Sequence, residues 1–406
     1  MKHAARRFAS IGSVLIAGSA MALATAQPLD CLPDAIVQWQ AAGPSPDSRF
    51  GANTLPGIVL GPPGDSSPTQ GSTTVASLGP DGSVTLRFDD VLIEDRPGPD
   101  FIVFENAFFV GSVPVNDAAD YTVFTEPGFV DVSLDGTAWI RFPYDAQALA
   151  EATAKNANKS LQHRLAGLAG ITPTFTGNWT IPDSLQAWDS SGQGGVSGAG
   201  GDAFDLATVG LTQARFIRLT DAGSRNGPSG SAEGFDLDAV VVLHGRPNAT
   251  SERDSDGDRL PDSTESSLYA SNPFQADSDG DGIDDGREVA SCRNPNSVDN
   301  APWFVREPRL WLRAGACTEL RWTFMATGIS YDLIRGDVAS LAAVGAHIDL
   351  GAAICLQDNL PSVRFSCDSA NPLVGQSYFY LVRPSTVSTY GWSSSLAPRL
   401  AGSGCP

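Results

Sequence analysis

The segment FVDVSLDGTAWIRF, residues 129–142, alternates apolar and polar side chains on either side of Asp135-Gly136. A period of two sends one face of a chain into a core and the other into solvent, which is the signature of a half-buried β-strand. An Asp-Gly pair readily takes the positive φ values of a two-residue turn, so the segment predicts a β-hairpin closed at Asp135-Gly136.

The same rhythm continues outward. VTLRF (84–88), FIVFEN (101–106), YTVF (121–124), ARFIRL (214–219) and FDLDAVVVL (235–243) alternate or run apolar between turn residues and read as further strands. The chain has 406 residues, of which 42 are Gly, 28 are Pro and only 18% are charged, a balance that suits strands joined by tight turns. Residues 27–247 are therefore expected to form one antiparallel β-sandwich. Residues 144–170, rich in Ala and ending in LAGLAG, break the rhythm and predict a helical insertion.

Such a length exceeds one ordinary core, and the two ends show why. Lys2, Arg6 and Arg7 precede the apolar run from Ile11 to Leu23 and the small residues Ala24-Thr25-Ala26, which reads as an export signal over residues 1–26. That run is too short to span a bilayer, and no later stretch is long enough. The expected location is extracellular, either secreted or at the cell surface. Removing the signal takes away three cations and no acid, so the net charge moves from -20 to -23 and nucleic acid is excluded as a partner. Cys31 follows Pro28-Leu29-Asp30, which lacks the small residues of a lipid-attachment box.

All six cysteines, Cys31, Cys292, Cys317, Cys355, Cys367 and Cys405, lie beyond the signal, and an even number in an exported chain predicts disulfides. Five of them follow residue 290, which points to the C-terminal part as the one needing covalent support. Cys355 with Cys367 is the pairing their proximity suggests.

Between the two ends the chain writes DSDGDRLPDSTE (254–265) and then DSDGDGIDDGRE (277–288). Counting Asp254 as position 1 puts Asp256 at 3, Asp258 at 5, Leu260 at 7, Asp262 at 9 and Glu265 at 12. The second copy gives Asp277, Asp279, Asp281, Ile283, Asp285 and Glu288 at the same places. A hard cation takes roughly six to eight oxygens, and a loop of this spacing supplies side chains from 1, 3, 5, 9 and 12 with the carbonyl of 7. The ion expected is Ca2+. Gly282 occupies position 6 of the second copy, where the turn favours a positive φ; the first copy has Arg259 there, which predicts strain or a different winding. Residues 254–288 hold eleven acids against Arg259 and Arg287, so the segment should repel itself without cations.

The two copies lie 23 residues apart, and Asn272-Pro273 returns as Asn294-Pro295. GRPNATSER, before the first loop, makes a poor helix, so an EF-hand is not expected. The repeats resemble the bacterial relatives of thrombospondin type 3 repeats. That resemblance implies a spacer of little apolar core, residues 248–300, stiffened by calcium.

GPDFIVFEN, EPGFVDVSLDGTAWIRFP, GGDAFDLATVGL and GFDLDAV resemble a jelly-roll domain of bacterial cell-surface proteins, a family that supplies no ligand to carry over. Downstream, ELRWTF (319–324), SYDLIRGD (330–337) and QSYFYLVRP (376–384) predict a second sandwich over residues 301–406. Its core Trp and Tyr strands are similar to fibronectin type III modules, from which the extra cysteines depart.

Other residues invite a function and have a plainer reading. Asp100, Glu105, Asp202, Asp205, Asp236 and Asp238 suggest another metal site, but Asp is common at turns and strand ends and no loop spacing joins them. Trp139, Trp179 and Trp188 suit sugar stacking, yet a sandwich Trp more often fills the core. Arg335-Gly336-Asp337 matches an adhesion tripeptide and is read as the turn that ends strand YDLI. Asn178-Trp179-Thr180 and Asn248-Ala249-Thr250 match a glycosylation sequon, but the export signal and the family resemblances look bacterial, where that match means little. With His163, His244 and His347 the only histidines past the signal, and no GxSxG, HExxH or CxxC, no hydrolase or zinc signature is present.

The expectation is thus a calcium-stabilised, multidomain β protein that binds or displays and is not an enzyme. Its sandwich would recognise surface glycans or another extracellular protein. A carbohydrate-binding protein and a polysaccharide-active hydrolase with two convergent carboxylates are the alternatives.

Overall fold

The computed structural model describes residues 30–42, 49–64, 67–112, 122–152, 157–158, 163–174, 200–223, 234–248, 252–298, 310–314, 317–322, 330–344, 347–373, 376–385, 390, 399–401 and 405. They fall into two units, one reaching from Leu29 to Phe304 and the other from Val305 to Pro406. Both are built mainly of antiparallel sheets, as the strand patterns predict; the exception is a short parallel pair in the second, Ile348 beside Arg399 and Asp349 beside Leu400. The export signal, Trp179, Trp188 and the sequon at Asn178 lie outside the described residues.

In the first unit, β1 (Ala35–Gln40) pairs with β3 (Ser83–Arg87), β3 with β14 (Phe216–Asp221), β14 with β8 (Gly128–Ser133) and β8 with β11 (Leu168–Ala169). A short β9 (Ile140–Arg141) also lies beside β8. Opposite stands a sheet in which β5 (Phe101–Glu105) and β15 (Asp236–Val242) are flanked by β12 (Asp202–Phe204) and β2 (Ala76–Ser77). Two three-stranded sheets complete the unit: β4 (Val91–Glu94) between β13 (Gln213–Ala214) and β16 (Gly245–Pro247), and β7 (Thr122–Phe124) between β6 (Phe108–Phe109) and β10 (Ala157–Asn158).

Burial follows the alternation in the sequence. Along β14, Ile217 and Leu219 are fully buried while Phe216, Arg218 and Thr220 on the other face are part-exposed. Strands β5 and β15 are buried along their whole length, which is why FIVFE and DLDAVVV read as runs and not as alternation. Phe142, just after β9, packs edge-on against Phe204 of β12 at 4.9 Å and against Phe101 of β5 at 5.9 Å, joining the two principal sheets through aromatic contacts.

The expected two-residue hairpin is wider than its sequence implied. β8 ends at Ser133 and β9 begins at Ile140, with Val132 opposite Ile140. Gly136 alone of the Asp-Gly pair has positive φ, at 74°. The Asp135 carboxylate accepts N–H bonds from Thr137 at 2.7 Å and Ala138 at 2.8 Å, making a side-chain-closed loop in place of a tight backbone turn. Those bonds hold its carboxyl well below the usual carboxylate range. Within the predicted insertion, helix α1 (Ala146–Glu151) forms, capped by Asp145, a 3-10 turn follows at His163–Leu165, and β11 returns the chain to the sheet.

The described residues of the second unit form three sheets. β18 (Thr318–Trp322) lies between β17 (Leu310–Ala314) and β23 (Arg364–Asp368). β19 (Tyr331–Asp337) lies between β22 (Ile354–Leu360) and β24 (Tyr378–Pro384). β21 (His347–Asp349) lies between β20 (Ala342–Val344) and β25 (Arg399–Leu400). Trp322 is fully buried and meets the ring of Tyr331 edge-on at 5.7 Å, the core Trp and Tyr pattern expected of this segment.

The disulfides correct the expected pairing. Cys355 joins Cys405 and Cys317 joins Cys367 in the second unit, while Cys31 joins Cys292 in the first. Cys355 and Cys367 sit on strands of different sheets. Cys367 instead neighbours Asp368, which is in register with Thr318, and this brings it to Cys317. Cys292 serves the first unit, so the sequence clustering of five cysteines overstated the covalent support of the second.

Candidate metal centre

Both acidic loops wind the same way. The Asp254 carboxylate accepts from Gly257 N–H at 2.7 Å and Arg259 N–H at 3.1 Å; Asp277 accepts from Gly280 at 2.7 Å and Gly282 at 2.9 Å. Asp258 and Asp281 accept from Leu260 and Ile283, each at 2.8 Å. These bonds repeat at the offset of 23 residues. Arg259 resolves the question its position raised: it takes φ 75°, beside 96° for Gly282, so the first loop keeps the winding and bears the cost of a side chain in the left-handed region.

The winding gathers carboxylates. Asp254, Asp256 and Asp258 bring oxygens within 4.8 Å of one another, as do Asp277, Asp279 and Asp281. Glu265 and Glu288, at position 12, are fully buried. Asp256 Oδ2, Asp279 Oδ2, Glu265 Oε2 and both carboxylate oxygens of Glu288 are buried with no hydrogen-bond partner. An ionised carboxylate left in that state is costly, and it calls for either a proton or a cation. Without a cation the proton wins: burial, followed by the neighbouring acids, lifts Glu265 to about 8 and Glu288 to about 9, while burial lifts Asp258 to about 7.

Position 9 departs from the spacing pattern. Asp262 accepts from Ser255 N–H and Oγ, each at 2.7 Å, and Asp285 accepts from Ser278 N–H and Oγ at 2.7 and 2.6 Å. Asp285 also brings an oxygen within 4.8 Å of Asp258 and Glu265, residues of the other loop. The loops are thus interlocked, a contact that spacing within one loop does not encode.

The flanks depart from a helix-loop-helix as well. Glu265 opens a π-helical turn, Glu265–Tyr269, and the second loop runs into helix α2 (Asp285–Ala290); the residues entering each loop are not helical.

The repeat segment is not the free-standing spacer its resemblance implied. Cys292 is bonded to Cys31, Ser291 Oγ accepts from Gly245 N–H at 2.9 Å, and Arg287 pairs with Glu94 of β4 at 3.3 Å. Two glycines let helix α2 lie this close to β16 and to the first loop. A Cβ on Gly245 would stand 2.1 Å from the Ala290 carbonyl oxygen, and one on Gly286 2.4 Å from that of Asp258. Sequence reasoning passed over both, and only the three-dimensional contact gives them a reason. Tyr269, only 2% exposed, adds an apolar anchor from between the loops.

Most of the sandwich acids sit at turns or strand ends, as expected, whereas Asp238 lies buried within β15. Asp100 accepts from Leu206 N–H at 2.7 Å and Arg96 N–H at 3.0 Å, with His244 Nδ1 at 3.0 Å. Asp202 holds Ile171 N–H, Asp205 caps the turn at Ala207, and Asp238 holds Gly64 N–H. Asp236 takes the Ser77 hydroxyl, and Glu105 takes Asp236 N–H at 3.2 Å. Asp95, Asp100 and Asp205 also bring oxygens within 4.8 Å of one another.

Trp139 is part-exposed on the outer sheet face, with the Arg218 guanidinium 4.3 Å above its ring. It is neither core nor a bare stacking platform. Arg335-Gly336-Asp337 lies within β19 instead of in a turn. Arg335 pairs with Asp368 at 2.6 Å and lies over Tyr378, and a Cβ on Gly336 would meet the Phe379 ring, so the tripeptide is built into the sheet.

No protein-family model matches the chain, and no curated protein does. Among solved structures, a biofilm associated protein's BSP domain is similar at 13% identity and a TM-score of 0.13, over 71% of this chain and 50% of that one. The chain spans half the length of that structure, and a likeness of this degree carries no argument. No helix among the described residues is long and apolar enough to cross a membrane.

Proposed function

We propose that the protein is a secreted or cell-surface, calcium-binding β protein with an adhesive or structural role, and not an enzyme. The observation that carries this reading is the twofold occurrence of buried, unpartnered carboxylate oxygens at positions 3 and 12 of identically wound acidic loops. An all-oxygen, multiply charged donor set suits a hard cation, and calcium accepts the higher coordination number that such loops supply. Three disulfides among the described residues support an oxidising location. The loops, docked on the sandwich edge, would act as a metal-stabilised brace beside the recognition module.

Calcium titration calorimetry of the full chain tests the reading, with magnesium as competitor and Glu265→Gln and Glu288→Gln as single-loop variants. Two ions in the parent, one in each variant and preference for calcium are expected. No heat of binding, with melting indifferent to chelator, removes the metal role.

A further inference from the structure

We propose that Asp285, which belongs by sequence to the second loop, is a ligand of the ion held by the first, so that the two loops form one interlocked two-ion unit. The inference rests on the metal-binding reading above and concerns which loop each carboxylate serves.

The two ninth-position residues begin alike and end differently. Each is turned back onto the serine at position 2 of its own loop. Asp262 then meets Arg253 at 3.1 Å, a largely exposed cation that satisfies it from solvent. Asp285 is fully buried and converges instead on Asp258 and Glu265. Glu265 is itself fully buried, and its Oε2 has no hydrogen-bond partner. Three carboxylates around one point, one with an unmatched buried oxygen, repel one another unless a cation lies among them.

The convergence is held in place by a bond from one loop to the other. Gly286 N–H donates to Asp258 Oδ2 at 2.8 Å, so helix α2 begins against the first loop and carries Asp285 with it. The absence of a side chain at Gly286 permits that approach. A hard divalent cation in the first loop would then have Asp254, Asp256, Asp258, Glu265 and, from across the interface, Asp285 as carboxylate ligands.

Asp285→Asn and Asp262→Asn, at equivalent places in the repeat, separate this arrangement from one in which position 9 serves its own loop. Each is titrated with calcium in the full chain carrying Glu288→Gln, which leaves the first-loop ion, or Glu265→Gln, which leaves the second. Asp285→Asn is expected to weaken the first-loop ion at least about tenfold, on the scale of ligand-shell losses. It should leave the second-loop ion unchanged, which also shows that the variant is folded; Asp262→Asn should change neither. Weakening of the second-loop ion by Asp285→Asn, alone or equally with the first, overturns the proposal while leaving calcium binding intact. A parent chain that binds no calcium removes both.

Discussion

The backbone N–H of Gly286 donates to the carboxylate of Asp258 at 2.8 Å across 28 residues of sequence, fastening the start of one repeat's helix to the middle of the other repeat's loop. Within a helix, Gly→Ala ordinarily stabilises by about 1 kcal/mol. Here the added Cβ would stand 2.4 Å from the Asp258 carbonyl oxygen, which belongs to backbone that cannot step aside. Gly286→Ala is therefore expected to lose about 1–3 kcal/mol, the range for overpacking, in urea denaturation with calcium present. A gain in stability would mean that the interface is loose.

The acids of the loops set a pH dependence whose sign is unusual for carboxylates. Glu265 and Glu288 titrate at about 8 and about 9 in the ion-free fold, against an ordinary 4.5. Between those limits the folded chain binds more protons than the unfolded one, so stability without calcium falls as pH rises above 4.5 and levels off above about 9. Melting in chelator should be highest near the acid end of that window. Calcium favours the ionised forms, so its binding at pH 7 should release protons, read as a dependence of the binding heat on the buffer's ionisation heat. A buffer-independent heat would contradict the buried geometry of the two glutamates.

The bond between Cys31 and Cys292 holds the repeat segment to the start of the sandwich. Replacing both by Ser is expected to lower the unfolding free energy of the first unit by about 2–5 kcal/mol. Thermal denaturation with and without reductant checks this: reductant should lower the parent's first transition toward that of the variant. Coincident curves for parent and variant would show that the bond adds nothing to the docked interface.

Arg335 illustrates a motif whose role is structural. It and Asp368 are 12% and 6% exposed, and Tyr380 donates to the same carboxylate at 2.9 Å. Arg335→Ala strands that carboxylate and should cost about 3 kcal/mol. Asp337→Ala removes only the cap on Ala339 N–H at 2.9 Å and should cost about 1 kcal/mol. Equal, negligible losses in denaturation would indicate that the tripeptide is free of the sheet.

Period-two patterns found strands such as Phe216–Asp221, because Ile217, Leu219 and their like must face a core at every second residue, but passed over the long strand Ile354–Leu360, none of whose residues is fully buried. They also missed strands of two or three residues, such as Ala76–Ser77 and Asp202–Phe204, which are too short to show any period. Spacing likewise placed Asp254, Asp256 and Asp258 together, since a single loop determines their positions. It could not place Asp285 beside Glu265, nor give Gly245 and Gly286 their purpose, because those facts belong to contacts between segments. Cysteine pairing failed for the same reason: proximity along the chain favoured Cys367 for Cys355, and sheet register gave Cys367 to Cys317.

Residues 31 to 292 form a covalent ring. When the chain is pulled from points outside that ring, tension passes from Cys31 straight to Cys292 through the sulfur bridge, and the strands enclosed by it carry no load. The first unit can therefore sit in series with a stretched neighbour without being drawn out itself. Only reduction of one bond would turn its enclosed residues into extensible length.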